Sequence, residues 1–143
     1  MDEKYKELLK RLFELFKPLG YKKDGANFRL FQKNGIARIV NFQKSRYNTK
    51  DNLSFTINVG VYDCSKSDTL NLKFKEYDCL IRERPACVSS KYHKDIWWNI
   101  TQQTDIDNLY QELIRFIEND VHSCLDKLEK RMKTAKLFAG LRK

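Results

Sequence analysis

The sequence predicts a two-layer α+β domain, with an N-terminal helix, an antiparallel sheet of about four or more strands and C-terminal helices packed on one face. Three observations predict it. Apolar residues recur every three or four positions near the N-terminus, alternate singly through the middle of the chain, and return to helical spacing after residue 104. At 143 residues, residues 1–143 form one domain of common size, which buries roughly two thirds of its unfolded surface. No repeat, low-complexity tract or linker divides it.

Residues 3–17 place Tyr5, Leu8, Leu9, Leu12, Phe13 and Phe16 on one helical face, and Pro18 with Gly20 ends the helix. Phe28–Phe31 and Ile36–Phe42 flank Asn34-Gly35, the pair suited to a two-residue hairpin turn in which both positions take positive φ. Leu53–Tyr62 alternates cleanly: Leu53, Phe55, Ile57, Val59 and Val61 face the core, while Ser54, Thr56, Asn58 and Gly60 face away. Residues 63–75, which include Asp63 and Asp68, read as a loop. A fourth strand is expected at Tyr77–Arg84, stopped by Pro85. Residues 86–103, with Trp97-Trp98, read as irregular or briefly helical. From an N-cap at Thr104, the residues Ile106, Leu109, Leu113, Ile117, Val121, Cys124, Leu125 and Leu128 follow a helical period to about Met132, as one long helix or two in series. In the basic tail 133–143, Leu137, Phe138 and Leu141 form a short docked helix or stay mobile.

The hydrophobic fraction of 41% excludes a disordered chain. The first residues mix charges where a signal peptide needs an apolar run, and no apolar stretch approaches the roughly 20 residues of a membrane span, so the expected location is the cytoplasm with no membrane partner. Cys64, Cys79, Cys87 and Cys124 form no Cys-x-x-Cys pair and are read as reduced thiols. The net charge of +9 is clustered. Residues 18–50 carry eight basic and one acidic side chain, and 122–143 carry seven and two, whereas 104–121 carry one and five. Such clusters favour an acidic partner, or serve as a solvated surface that maintains solubility.

Five segments resemble one family. They are Pro18-Leu19-Gly20-Tyr21-Lys22-Lys23, Asn41-Phe42-Gln43-Lys44-Ser45, Phe55-Thr56-Ile57-Asn58-Val59-Gly60-Val61, Cys79-Leu80-Ile81-Arg82-Glu83-Arg84 and Trp97-Trp98. In order and spacing they are similar to the domain of unknown function 4304, from about residue 8 to 130. The resemblance implies a bacterial, cytoplasmic, stand-alone α+β domain. It assigns no reaction and no functional residue, and the tail beyond Arg131 departs from it.

Alternation places a candidate site on the sheet face opposite the core. If Val40 and Phe42 point inward, Asn41, Gln43 and Ser45 point outward, joined by Thr56 and Asn58 and by Arg82 and Arg84. Arg offers a planar fork of donors and the amides supply both donor and acceptor, which suits a carboxylate or phosphate. Lys44, Arg46 and Lys50 would extend the patch. Gly60 inside a regular strand marks a bulge or the close approach of another group. Of the tryptophan pair, one ring belongs in the core and the other, taken as Trp98, at the site, where it could stack on a planar ligand. The bland alternative is an ordinary solvated sheet face.

Other chemistry is weakly signalled. Cys79, Cys87, His93, His122 and Cys124 match no zinc spacing, so no metal or other cofactor is implied. Asp78 and Glu83 would lie on opposite faces of a regular strand. A nuclease or phosphodiesterase could be assembled from Glu83 with Arg82, Arg84 and Lys44, but nothing in the spacing selects it. Phosphate-binding glycine loops and nucleophile elbows are absent. The expectation is a non-enzymatic binding module that engages an acidic protein partner, antitoxin- or immunity-like, through Arg82, Arg84, Asn41, Gln43, Asn58, Lys44, Arg46 and Trp98. The alternatives are nucleic-acid binding through the same face and the basic tail, and the metal-dependent nuclease.

Overall fold

A computed structural model describes residues 1–66 and 72–141. Asp68, expected in a loop, and the last two basic residues of the tail lie outside the described residues. Helix α1 spans Asp2–Phe13 and buries Tyr5, Leu8, Leu9 and Leu12, the residues of its apolar stripe. It ends through a short 3-10 turn at Lys17–Leu19, closed by Gly20 at φ 97, a left-handed conformation that suits glycine.

Five antiparallel strands follow in sheet order: β1 Lys22–Asp24, β2 Asn27–Phe31, β3 Ile36–Lys44, β4 Leu53–Asp63 and β5 Ile81–Glu83. A sixth, β6 Trp98–Ile100, pairs with Leu53–Phe55 of β4, while β5 pairs with Val59–Val61. Two short strands therefore share one edge of the longest strand. Helix α2 is a single turn, Pro85–Val88, and α3 Ile106–Phe116 runs through a π segment at Ile117–Val121 into α4 His122–Leu141. α1, α3 and α4 cover one face, where Phe28, Val40, Phe42, Phe55, Ile57, Leu113, Leu125 and Leu128 form the core. The architecture is the expected α+β arrangement.

Local expectations were corrected in five places. The hairpin at Asn34-Gly35 exists, but Gly35 alone has positive φ. The turn is a Gln32–Gly35 reversal, with the Gly35 N–H donating to the Gln32 carbonyl and the Asn34 side chain accepting from the Ile36 N–H. The fourth strand covers only Ile81–Glu83. Asp78 accepts from the Lys75 N–H at 2.8 Å and closes a 3-10 turn over Glu76–Asp78 instead. The N-cap of α3 is Asp105, whose carboxylate accepts from Asp107 and Asn108 N–H groups, because the Thr104 hydroxyl is occupied by the Thr101 N–H at 2.8 Å. Residues 98–100, expected as irregular or helical, are β6. The basic tail continues α4, with Leu137 and Phe138 exposed.

The face turned away from the helices is not uniformly solvated. Phe74 and Cys79 pack on Ala37 and Ile39 in a second small core, and Phe74 stacks on Tyr62 with centroids 4.4 Å apart. Arg29, itself buried, donates from Nε to the Phe74 carbonyl at 2.8 Å and pairs with Asp24 at 3.0 Å. This ties the covering segment to β2. The rest of the face, toward the opposite end of β3 and β4, carries the polar residues.

Candidate functional site

Register brings the amides together. Asn27, Asn41 and Asn58 stand opposite one another on β2, β3 and β4, on the side that alternation turns away from Val40 and Phe42. The Asn41 amide donates to Asn27 at 2.8 Å, and the Asn58 amide donates to Asn41 at 3.2 Å and to Gln43 at 2.8 Å. Arg84 closes the row. Its Nε donates to Asn58 Oδ1 at 2.9 Å and its Nη2 to Gln43 at 3.4 Å, while Nη1 pairs with Asp95 at 2.6 Å. Asp95 also accepts from the Trp97 indole at 3.1 Å, and the Arg84 guanidinium lies 5.3 Å from the Trp97 ring centre. Asn58 is only 6% exposed, so the network is fixed from below and unpaired buried amides are avoided.

Beside this row opens a cleft of about 250 Å³ lined by Gln43, Asn58, Glu76, Arg82, Glu83 and Arg84. Arg82 stands opposite Gly60 and so on the same face. Its side chain is 49% exposed and reaches Glu76 at 3.8 Å, a long and weakly held pair. Burial pushes the Glu76 carboxyl above its ordinary range, against the pull of Arg82 and Arg84. The cleft thus offers one engaged guanidinium, one open guanidinium and the free amide nitrogen of Gln43. A carboxylate oxygen is matched by this set of planar donors.

Five of the eight predicted residues, Asn41, Gln43, Asn58, Arg82 and Arg84, meet here. The other three do not. Trp98 pairs with Phe55 in register and enters the core at 5% exposure, stacked on Phe55 at 5.9 Å and set against Phe116 at 5.1 Å. Trp97 is the ring on the polar side. Lys44 has the same strand parity as Phe42, so it turns to the helix layer, 3.5 Å from Asp2 and over the Tyr5 ring. Arg46 lies in the loop between β3 and β4 against Tyr47. The nuclease set is likewise divided: Glu83 pairs with Val59 and therefore faces the helices, as does Lys44, while Arg82 and Arg84 face the other way.

Asn27, Glu76, Asp95 and Trp97 belong to the site and were not anticipated. For Asn27 the signal was available, since a hairpin closing at residues 32–35 sets it opposite Asn41. Glu76 and Asp95 come from irregular segments and carried no periodic signal. The two carboxylates make this face less cationic than its sequence suggests.

Gly60 is explained by close approach. β4 passes through it without a bulge, opposite Ile39, and a Cβ there would meet the Cys79 side chain.

No curated protein and no solved structure gives a significant match to the chain. A family model does match, over residues 12–127, which spans every strand, α3 and the start of α4 and leaves out the basic tail. The chain belongs to the family described as Domain of unknown function (DUF4304).

Proposed function

We propose that the chain is a non-enzymatic binding module that engages an acidic protein partner, antitoxin- or immunity-like, by taking a partner carboxylate between Arg82 and the Gln43 amide. The supporting observation is the contrast between two neighbouring arginines. Arg84 has all three guanidinium nitrogens engaged and serves to hold the amides, whereas Arg82 is half exposed over the cleft. A guanidinium left open beside a fixed row of amides favours recognition, since its planar fork of donors matches a carboxylate.

The reading supposes a bacterial cytoplasm, in keeping with four cysteines that are free rather than bridged. Among the described residues no helix is long and apolar enough to cross a membrane. Nucleic-acid binding through the polar face together with the tail is less favoured. Asn41, Asn58 and Arg82 lie on one side of the sheet, while α4 packs on the other through Leu125, Leu128 and Met132.

The test is affinity for a partner isolated with the unmodified chain. Arg82→Ala should weaken it at least about tenfold, the loss that accompanies removal of one charged contact. An unchanged Kd rejects the reading. Binding of DNA or RNA that falls steeply between two salt concentrations would replace it with the nucleic-acid reading.

A further inference from the structure

The long C-terminal helix is interrupted by the π segment Ile117–Val121. A π turn leaves carbonyls without their usual α-helical donors, and such interruptions recur at functional sites. Here the His122 N–H reaches back to the Ile117 carbonyl, and the Ser123 hydroxyl bonds the Asn119 and Asp120 carbonyls at 3.2 and 3.3 Å. The α2 turn lies against this stretch, and the cleft between them has a volume of about 310 Å³, room for roughly ten waters at liquid density.

Four charged side chains line the cleft: Glu83, Asp120, Lys127 and Arg131. Among the described residues none of the four forms an ion pair, and Glu83 accepts the Arg84 backbone N–H at 3.1 Å. Cys124, which is buried, lines the same cleft. Burial raises that thiol to about 11, Glu83 and Asp120 push it further up, and Lys127 and Arg131 pull it down.

Along the helix the charges are also sorted by sign. Asp120 lies one turn before Cys124 on the helix, and Glu83, from β5, lines the same cleft. Lys127 and Arg131 follow one and two turns beyond Cys124. By helical rise, Lys127 lies about 10 Å along the axis from Asp120. An extended peptide of two or three residues spans about 7–10 Å. Pro85, Val88 and Leu128 supply an apolar wall, of which Val88 is 53% exposed.

We propose that this cleft binds a short zwitterionic peptide of two or three residues, its ammonium at Glu83 and Asp120, its carboxylate at Lys127 and Arg131, and an apolar side chain against Pro85, Val88 and Leu128. Ligand charges of both signs would complete pairs that the fold leaves open, and the π segment shapes the wall they enter. The site is separate from the polar sheet face and stands whether or not that face binds a protein.

The experiment titrates the full chain with alanyl-leucine, N-acetyl-alanyl-leucine and alanyl-leucinamide, following backbone amide resonances of residues 85–90 and 119–131. Alanyl-leucine should give saturable shifts there, and each blocked compound should bind at least about tenfold more weakly, the factor for one lost charged contact. Lys127→Ala with Arg131→Ala should abolish the preference for the free acid over the amide. Glu83→Gln with Asp120→Asn should abolish the preference for the free amine over the acetylated form. Absence of saturable shifts at these residues, or equal affinity of the unmodified chain for all three compounds, overturns the proposal.

Discussion

Gly60 and Cys79 meet across the outer face of the sheet: a Cβ on Gly60 would stand 2.8 Å from the Cys79 sulfur and 3.0 Å from its Cβ. Cys79 is buried with Phe74 against Ala37 and Ile39 and has little room to retreat. Gly60→Ala should therefore destabilise the fold by about 1–3 kcal/mol through overpacking, read as a lower urea midpoint with an unchanged slope. Adding Cys79→Ala removes the sulfur and should recover part of the loss. Strictly additive effects in the double-mutant cycle would show that the two sites are not coupled.

Glu129 sets an acid-side stability prediction. Burial would raise its carboxyl, but hydrogen bonds from Gln32 at 2.5 Å, Arg38 at 2.9 Å and Lys133 outweigh it and hold the group at about 2. A folded-state value below the unfolded one stabilises the fold above the ordinary carboxylate range, and that stabilisation is lost as pH falls toward the folded value. The contribution at neutral pH is on the order of 3 kcal/mol. Glu129→Gln should lower the urea midpoint at neutral pH and flatten its decline between about pH 4.5 and 2. Curves that stay parallel for the two proteins would contradict this.

Long elements were legible because periodicity needs length. The stripe of α1, the alternation of β3 and β4, and the period from Ile106 onward place their residues where the fold has them, including Asn41, Gln43 and Asn58 on one face. Three-residue strands cannot show a period. β6 therefore went unseen, and without its register to Phe55 nothing determined which tryptophan enters the core. The small core on the outer face, beside the polar residues, was hidden for a similar reason. It is made by Phe74 and Cys79 in an irregular segment, and two apolar residues five apart carry no pattern. Lys44 was misplaced although alternation from Phe42 already turned it toward the helices.

The four thiols should separate by exposure. Cys87 is exposed, Cys64 half-buried, and Cys79 and Cys124 buried. Burial pushes Cys79 up to about 12 and Cys124 to about 11, so both are protected by access and by a scarcity of thiolate. A colorimetric thiol reagent at mildly alkaline pH should modify Cys87 first and Cys64 more slowly. Cys79 and Cys124 should react only on denaturation. Fast modification of all four in the native protein would contradict the burial of Cys79 beneath Phe74.

The two site arginines should respond in opposite ways to the same substitution. Arg84→Ala strips Asn58 Oδ1 of its Nε donor and frees Asp95 from its closest cation. Because Asn58 is buried, the loss should be about 1–3 kcal/mol, accompanied by a change in emission from Trp97, which loses the guanidinium beside its ring. Arg82→Ala removes only a half-exposed side chain with a long pair to Glu76, so stability should shift by no more than about 0.5 kcal/mol. Thermal unfolding of both variants, with Trp97→Phe to assign the emission, measures the split. If Arg82→Ala were as destabilising as Arg84→Ala, Arg82 would be part of the scaffold, and its role as the open donor for a partner carboxylate would be lost.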